Sequence, residues 1–161
     1  MGDAKKIPYQ IPASVVQEVR DGCLCFAAQK AARLLARRFD RVFAPLGITN
    51  GQFSMLVALG GTGAPRLGAL AEFLAMDQTT LTAAVKALEA RGLVTRKVDP
   101  DDLRARRVEL TEAGAEVVAR AVPIWRAEIA AIRQNLGADR AEELATLLRL
   151  PGVAQGAGSR P

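Results

Sequence analysis

Between Asp77 and Lys86 the chain carries a carboxylate, an amide, three hydroxyls and an amine in one short run, Asp-Gln-Thr-Thr-Leu-Thr-Ala-Ala-Val-Lys. Asp77 is a natural N-cap, and Leu81, Ala84, Val85 and Leu88 recur at helical spacing as a buried stripe. The opposite side is short and polar: Gln78, Thr79, Thr82, Ala83 and Lys86, with Thr80 beside them in the first turn. Hydroxyls, an amide and free backbone N–H groups at the positive end of a helix suit phosphate oxygens and the edges of bases in a major groove. The blander alternative is that a Thr-rich turn does no more than cap its helix. No acidic residue follows Asp77 until Glu89, and a polyanionic partner requires such a face.

The composition narrows the remaining chemistry. Lys plus Arg number 22 against 17 Asp plus Glu, a formal charge of +5. The absence of His removes the commonest general base and metal ligand, and two Cys cannot make a four-thiolate zinc site. We therefore expect no catalytic centre, no metal site and no cofactor. Gly61-Thr62-Gly63 lacks the third glycine and the preceding buried strand of a dinucleotide-binding turn, and reads as a loop. Cys23 and Cys25 stand two apart on what reads as one helix, about 200° apart, and cannot bridge within one chain.

The elements that must position the 77–86 run are mostly helical, because Ala and Leu dominate and only 4% of residues are aromatic. Pro8 and Pro12 mark an arm over 1–13. Ser14 and Gln17 have the form of a capping box opening one long helix, whose apolar stripe is Leu24, Ala28, Ala31, Leu35, Phe39 and Val42. Its other face, with Lys30, Arg33, Arg37, Arg38 and Arg41, is either solvated or in reach of phosphates. Thr49 caps a second helix over 51–59, with Phe53, Leu56 and Val57 inward. A short helix over 67–74 and a turn at Ala75-Met76 lead into the Asp77 helix, which makes a helix-turn-helix.

Gly92 closes that helix, and strands over 94–98 and 106–110 flank the turn cluster Asp99-Pro100-Asp101-Asp102. A helix-turn-helix followed by such a hairpin is a winged helix. Thr111 caps a long helix to Asn135, Gly137 breaks it, a final helix covers 139–150, and the Gly- and Pro-rich 151–161 reads as a disordered tail. The fold class is therefore mainly α: a winged helix-turn-helix lobe over 49–111 between long terminal helices, 14–45 and 112–150, in one domain over 14–150. No apolar run is long enough for a membrane span, and a cytoplasmic location follows by default.

From Ser14 to Leu150 the chain resembles the multiple-antibiotic-resistance regulator (MarR) family of bacterial transcription regulators. The resemblance is carried by Leu46-Gly47-Ile48-Thr49 with Gln52-Phe53 and by Asp77-Gln78-Thr79-Thr80-Leu81-Thr82 with Leu88-Glu89 and Gly92-Leu93-Val94. Arg96, Asp99, Asp102-Leu103-Arg104 and Leu110-Thr111-Glu112-Ala113-Gly114 continue it. It implies a homodimer whose terminal helices intertwine, binding a pseudo-palindromic operator in double-stranded DNA. It also implies a wing whose Arg104 reads the minor groove, with Asp102 holding Arg104 in place. Arg96 joins the DNA-contacting set with Gln78, Thr79, Thr80, Thr82, Ala83 and Lys86, although a solvated ion pair accounts for it equally well.

The run Asp21-Gly22-Cys23-Leu24-Cys25-Phe26 is similar to the first helix of the family's organic-hydroperoxide-sensing branch, which puts Cys25 at the place of its reactive thiol. That branch holds its thiolate with two tyrosines, where this chain has Gln29 and Phe39. Packing is therefore the expected role of Cys25, with a redox sensor as the alternative. Other members resemble sensors of small aromatic, often anionic, ligands, and a repressor released by such an effector is the expected function; the alternatives are a peroxide-sensing repressor using Cys25 and a winged-helix protein-interaction module, which acidic residues on the recognition face would have signalled.

Overall fold

The computed structural model describes residues 10–149. Helices α1 (Ala13–Gly22) and α2 (Leu24–Phe43) lead through a 3-10 turn (Ala44–Leu46) to α3 (Asn50–Thr62), α4 (Leu67–Phe73) and α5 (Gln78–Ala90). The hairpin β1 (Val94–Val98) and β2 (Arg106–Leu110) follows, and α6 (Glu112–Leu136) and α7 (Ala138–Arg149) close the described chain. This is the mainly helical winged-helix architecture read from the sequence. Of the arm over 1–13, residues 1–9 lie outside the described residues, as does the tail over 151–161. Among the described residues no single helix is long and apolar enough to cross a membrane.

Helix α3 is apolar on nearly every face and accordingly sits at the centre, against α2, α6 and β2. Its N-terminus is fixed twice. Thr49 and Gln52 form a reciprocal capping box, and Asp40 on α2 accepts the Asn50 N–H at 2.6 Å. Around α3 the core runs from Phe39 and Phe43, whose rings stack on each other, through Phe53, to Leu70 on α4, to Leu81, Val85 and Leu88 on α5, and to Val108 in the wing.

Several local expectations change. The single long first helix is two helices, because Cys23 leaves the helical region (φ −82°, ψ 105°) and its Sγ accepts the Phe26 N–H at 3.4 Å as the cap of α2. Gly22 before it is the weak point at which such a break costs least. The Ser14 capping box does not form: α1 starts one residue earlier, with Pro12 as a cap that makes no side-chain bond. Gly61 and Thr62, read as loop, complete α3, and the chain turns at Gly63 with φ 74°. Leu24 and Leu35, expected on a buried stripe, are 86% and 44% exposed within one chain, and Val57 is 42% exposed.

The helix-turn-helix closes on Ala75, the only non-glycine residue of positive φ (50°) among those described. Met76 N–H returns to the Ala71 carbonyl at 2.9 Å and so ends α4 within two residues.

The wing is tied to α6 just as closely. Thr111 donates its hydroxyl to the Gly92 carbonyl (2.7 Å) and accepts the Gly114 N–H (3.1 Å). Its own N–H reaches the Leu93 carbonyl at 3.2 Å. Gly114 is buried so tightly that a Cβ there would lie 2.1 Å from the Leu93 oxygen and 2.8 Å from Leu110 Cδ1. Gly114→Ala should therefore destabilise the fold by about 1–3 kcal/mol, measured by denaturant unfolding, and a change within 0.5 kcal/mol would mean that the contact yields freely.

Candidate nucleic-acid interface

Helix α5 presents the polar surface read from the sequence. Leu81, Val85 and Leu88 are buried, while Gln78, Thr79, Thr80, Thr82, Ala83 and Lys86 are exposed. Asp77 accepts the Thr80 N–H at 2.8 Å, and hydrogen bonds from the Thr80 side chain and backbone hold its carboxyl below the usual carboxylate range. The Thr82 hydroxyl donates to the Gln78 carbonyl at 2.7 Å, so its proton is spent within the helix. What Thr82 offers outward is a methyl group and acceptor lone pairs.

In the wing, β1 and β2 pair antiparallel from Val94↔Leu110 to Val98↔Arg106. The hairpin is anchored at its far end by Asp99, a fully buried carboxylate. Its Oδ2 accepts from Arg66 Nε at 2.6 Å and Arg107 Nε at 2.8 Å, and its Oδ1 accepts the Asp101 N–H at 2.9 Å. Arg66 is the N-cap residue of α4, so the clasp joins the wing to the first helix of the helix-turn-helix. Two further bonds run alongside: Val108 N–H to the Pro65 carbonyl (3.1 Å) and Arg107 Nη1 to the Ala64 carbonyl (3.3 Å). The Arg66 guanidinium, ahead of the Asp101 N–H and Arg107, holds the Asp99 carboxyl far below its ordinary range despite the opposing effect of burial.

The wing's basic residues divide sharply once their partners are known. Arg96 is held by Glu89, its Nε donating to Oε2 at 2.8 Å. Lys97 pairs with Glu109, Arg107 with Asp99, and Arg106 donates to the Leu103 and Ala105 carbonyls. Arg91 reaches Gln52 Oε1 at 3.5 Å. Arg104 differs: its N–H is received by Asp102 Oδ1 at 3.0 Å, while its exposed guanidinium meets no partner among the described residues.

Of the six basic groups along 91–107, Arg96, Lys97 and Arg107 are thus ion-paired in place, while Arg91 and Arg106 bond only neutral acceptors. Sequence reading gave Asp99 only a turn role and left Arg66 unremarked. The one available signal was an acid next to a strand end, within a cluster of three Asp residues that spacing cannot tell apart. Among the described residues no group of acidic residues and cysteines is placed to hold a metal ion.

Cys25 departs from expectation, since it is exposed within the chain. Gln29 Nε2 donates to its Sγ at 3.3 Å, and Arg33 Nη2 donates to Gln29 Oε1 at 3.2 Å. The packing role expected for this thiol is therefore not met inside one protomer.

Comparison with known proteins supplies the family. The MarR family model matches residues 48–105, from just after the 3-10 turn to just before β2. The organic hydroperoxide resistance transcriptional regulator of Bacillus subtilis (strain 168) is 33% identical over 101 residues, which cover 63% of this chain and 69% of that protein. This chain belongs to the MarR family. Among solved MarR-like structures, the Mycobacterium tuberculosis transcriptional regulator MosR in complex with DNA superposes with a TM-score of 0.71 at 30% identity, over 83% of this chain and 98% of MosR. The repressor CouR, bound to a 23-mer DNA duplex, gives 0.76 at 26% identity over 91% of this chain and all of CouR. The chain is thus a DNA-binding transcription regulator of the MarR family and not an enzyme.

Within that family fold, the Asp99 clasp has a definite pH signature. Its folded-state pKa is depressed, so its stabilisation is fully present above the unfolded carboxyl value of about 3.9 and is lost as pH falls through the lower folded value. Asp99→Asn should lower the thermal midpoint at pH 7 and flatten the acid limb of stability against pH. Equal midpoints for wild type and variant at pH 7 would show that the clasp stabilises nothing.

Proposed function

We propose that this protein is a homodimeric, cytoplasmic repressor that places α5 in the major groove and the wing in the adjacent minor groove of a pseudo-palindromic operator, and is released by a small aromatic or anionic effector. The observation that carries the DNA surface is the contrast within the wing. The Arg104 guanidinium alone among the basic groups of 91–107 is left without a partner, and Asp102 fixes the backbone that presents it. Gln78, Thr79, Thr82, Ala83 and Lys86 supply the major-groove face, Thr80 stands at its edge with its N–H held by the Asp77 cap, and Arg96, already held by Glu89, braces the base of the wing.

Dimerisation is supported by apolar surface that one chain leaves in water: Val16 and Val19 on α1, Leu24 and Leu34 on α2, and Leu147 and Leu148 on α7 are each half or more exposed. Both ends of the chain thus carry faces that a second copy would bury. The likeness to the transcriptional repressor CouR and to the transcriptional repressor NicR of Pseudomonas putida, 39% identical over 79 residues covering 49% of this chain and 50% of NicR, supports repression over activation.

Selection of bound duplexes from random DNA should return half-sites about 10 bp apart. On that operator Arg104→Ala should weaken binding by about 1–3 kcal/mol, and Thr82→Ala or Gln78→Ala should relax base preference at defined positions. Unchanged affinity in all three at moderate salt, or a folded monomer by sedimentation at micromolar concentration, would move the DNA surface or the assembly elsewhere.

A second reading rests on the Cys25 geometry. An exposed thiol that accepts from an amide itself engaged by Arg33 is accessible to a hydroperoxide, and the B. subtilis relative is named for organic hydroperoxide resistance. If oxidation of Cys25 to the sulfenic acid releases DNA, Cys25→Ser should stay on the operator after hydroperoxide treatment. Loss of binding by both proteins alike would remove the thiol from the mechanism.

A further inference from the structure

The loop that closes the wing, residues 99–105, is locked bond by bond. Asp99 N–H donates to the Ala105 carbonyl at 3.1 Å, and Ala105 N–H to the Asp102 carbonyl at 2.9 Å. The Asp99 and Asp102 carboxylates accept the Asp101 and Arg104 N–H groups at 2.9 and 3.0 Å. Arg106 then turns its guanidinium back over the loop, Nη1 donating to the Leu103 carbonyl at 3.0 Å and to the Ala105 carbonyl at 3.1 Å. What this frame carries into solvent is the Leu103 side chain, 77% exposed, next to Arg104, whose guanidinium meets no partner among the described residues. A single exposed leucine is ordinary on a protein surface. One held on an anchored tip, with its own carbonyl engaged and an uncommitted cation beside it, is an apolar contact already ordered for use.

We propose that Leu103 is a specificity-determining residue of the wing, which packs into the minor groove beside Arg104 and accepts A·T pairs while rejecting G·C. The inference rests on the reading above that the wing enters the minor groove, and adds to it the means of discrimination. That groove is about 6 Å wide, and one group on its floor separates the pairs. A·T and T·A show only acceptors there, which a guanidinium can meet, whereas G·C adds the guanine N2 amine, a donor. Neither tip side chain can receive that donor. Leucine has no acceptor, its carbonyl is taken by Arg106, and a guanidinium only donates, so the amine would lose water and gain nothing.

The two neighbours divide the work by the physics of their side chains. Arg104 responds to the potential of the groove, which is strongest where a run of A·T pairs narrows it. Leu103 reads by contact, as apolar side chains do when they enter a minor groove, and so tests the pair it touches. Arg104 releases counterions on binding and Leu103 does not, which makes their contributions separable by salt.

The test uses the full-length protein on the operator returned by selection, with the wing-contacted pairs located by hydroxyl-radical protection. Those A·T pairs are exchanged for G·C, for hypoxanthine·C, which lacks the N2 amine, and for 2,6-diaminopurine·T, which carries it. G·C and 2,6-diaminopurine·T should each weaken binding about tenfold, and hypoxanthine·C by less than about twofold. Leu103→Asn supplies an acceptor, and should bring the four duplexes within about threefold of one another while the salt dependence stays that of the unmodified protein. Arg104→Ala should weaken all four, keep their order and lower the salt slope by about 1. Both positions are exposed, and circular dichroism establishes that the variants fold. A Leu103→Asn protein that keeps the tenfold discrimination, or a hypoxanthine·C duplex bound as poorly as G·C, would overturn the proposal. So would wing-contacted pairs that the unmodified protein lets be exchanged freely while Arg104→Ala still weakens binding. No effect of Arg104→Ala on any duplex would instead overturn the placement of the wing on which the proposal stands.

Discussion

The buried carboxylate of Asp99 is the constraint on which the reading surface depends. A two-stranded hairpin is marginal by itself, and here its far end buries little, since Val98 is 49% exposed and Leu103 77%. What fixes its direction is one oxygen shared between Arg66, at the head of α4, and Arg107, in β2. The arrangement places the ion pairs so that the burial cost falls on the acid, which has two cations and a backbone N–H to offset it. The arginines remain 47% and 34% exposed and keep part of their hydration. The same clasp leaves Arg104 uncommitted, because the local acids are already spoken for or serve the turn.

A second division of labour concerns apolar surface. Helix α3, apolar all round, holds the lobe together, and its surplus hydrophobic side is what forms a groove with Phe73 and Trp125. The terminal helices carry apolar residues that one chain does not bury. The molecule therefore has two kinds of exposed hydrophobic surface: extended faces on the terminal helices, and a compact aromatic groove near the helix-turn-helix lined by Phe53, Phe73 and Trp125.

How much of this was legible follows from how local each signal is. Asp77, Thr49, Thr111 and Gly92 act through bonds to residues at most a turn away, apart from Thr111 reaching Gly92, so their roles and the strand limits at Val94, Val98, Arg106 and Leu110 could be read directly. The polar face of α5 followed from helical spacing alone. The break at Cys23 was hidden because a cysteine is an unusual cap and the apolar spacing runs on through it. The burial of Asp99 and the exposure of Cys25 were not readable at all, since both depend on which distant segments come together. Leu24 and Leu35 were assigned to a core by a stripe that is real but faces outward in one chain.

The seat of Gly114 gives α6 a mechanical character. At 1.5 Å per residue its 25 residues make a rod about 37 Å long. Its first turn is pressed onto the Leu93 carbonyl with no room for a methyl group, directly after the exit of α5. Pro123, inside the helix, has no N–H for the turn before it, so the stretch from the clamp to that point moves as one piece while the helix bends beyond it. The exit of α5 and the first half of α6, up to Pro123, therefore turn together, and the lever that the recognition helix acts through is half as long as the helix that carries it.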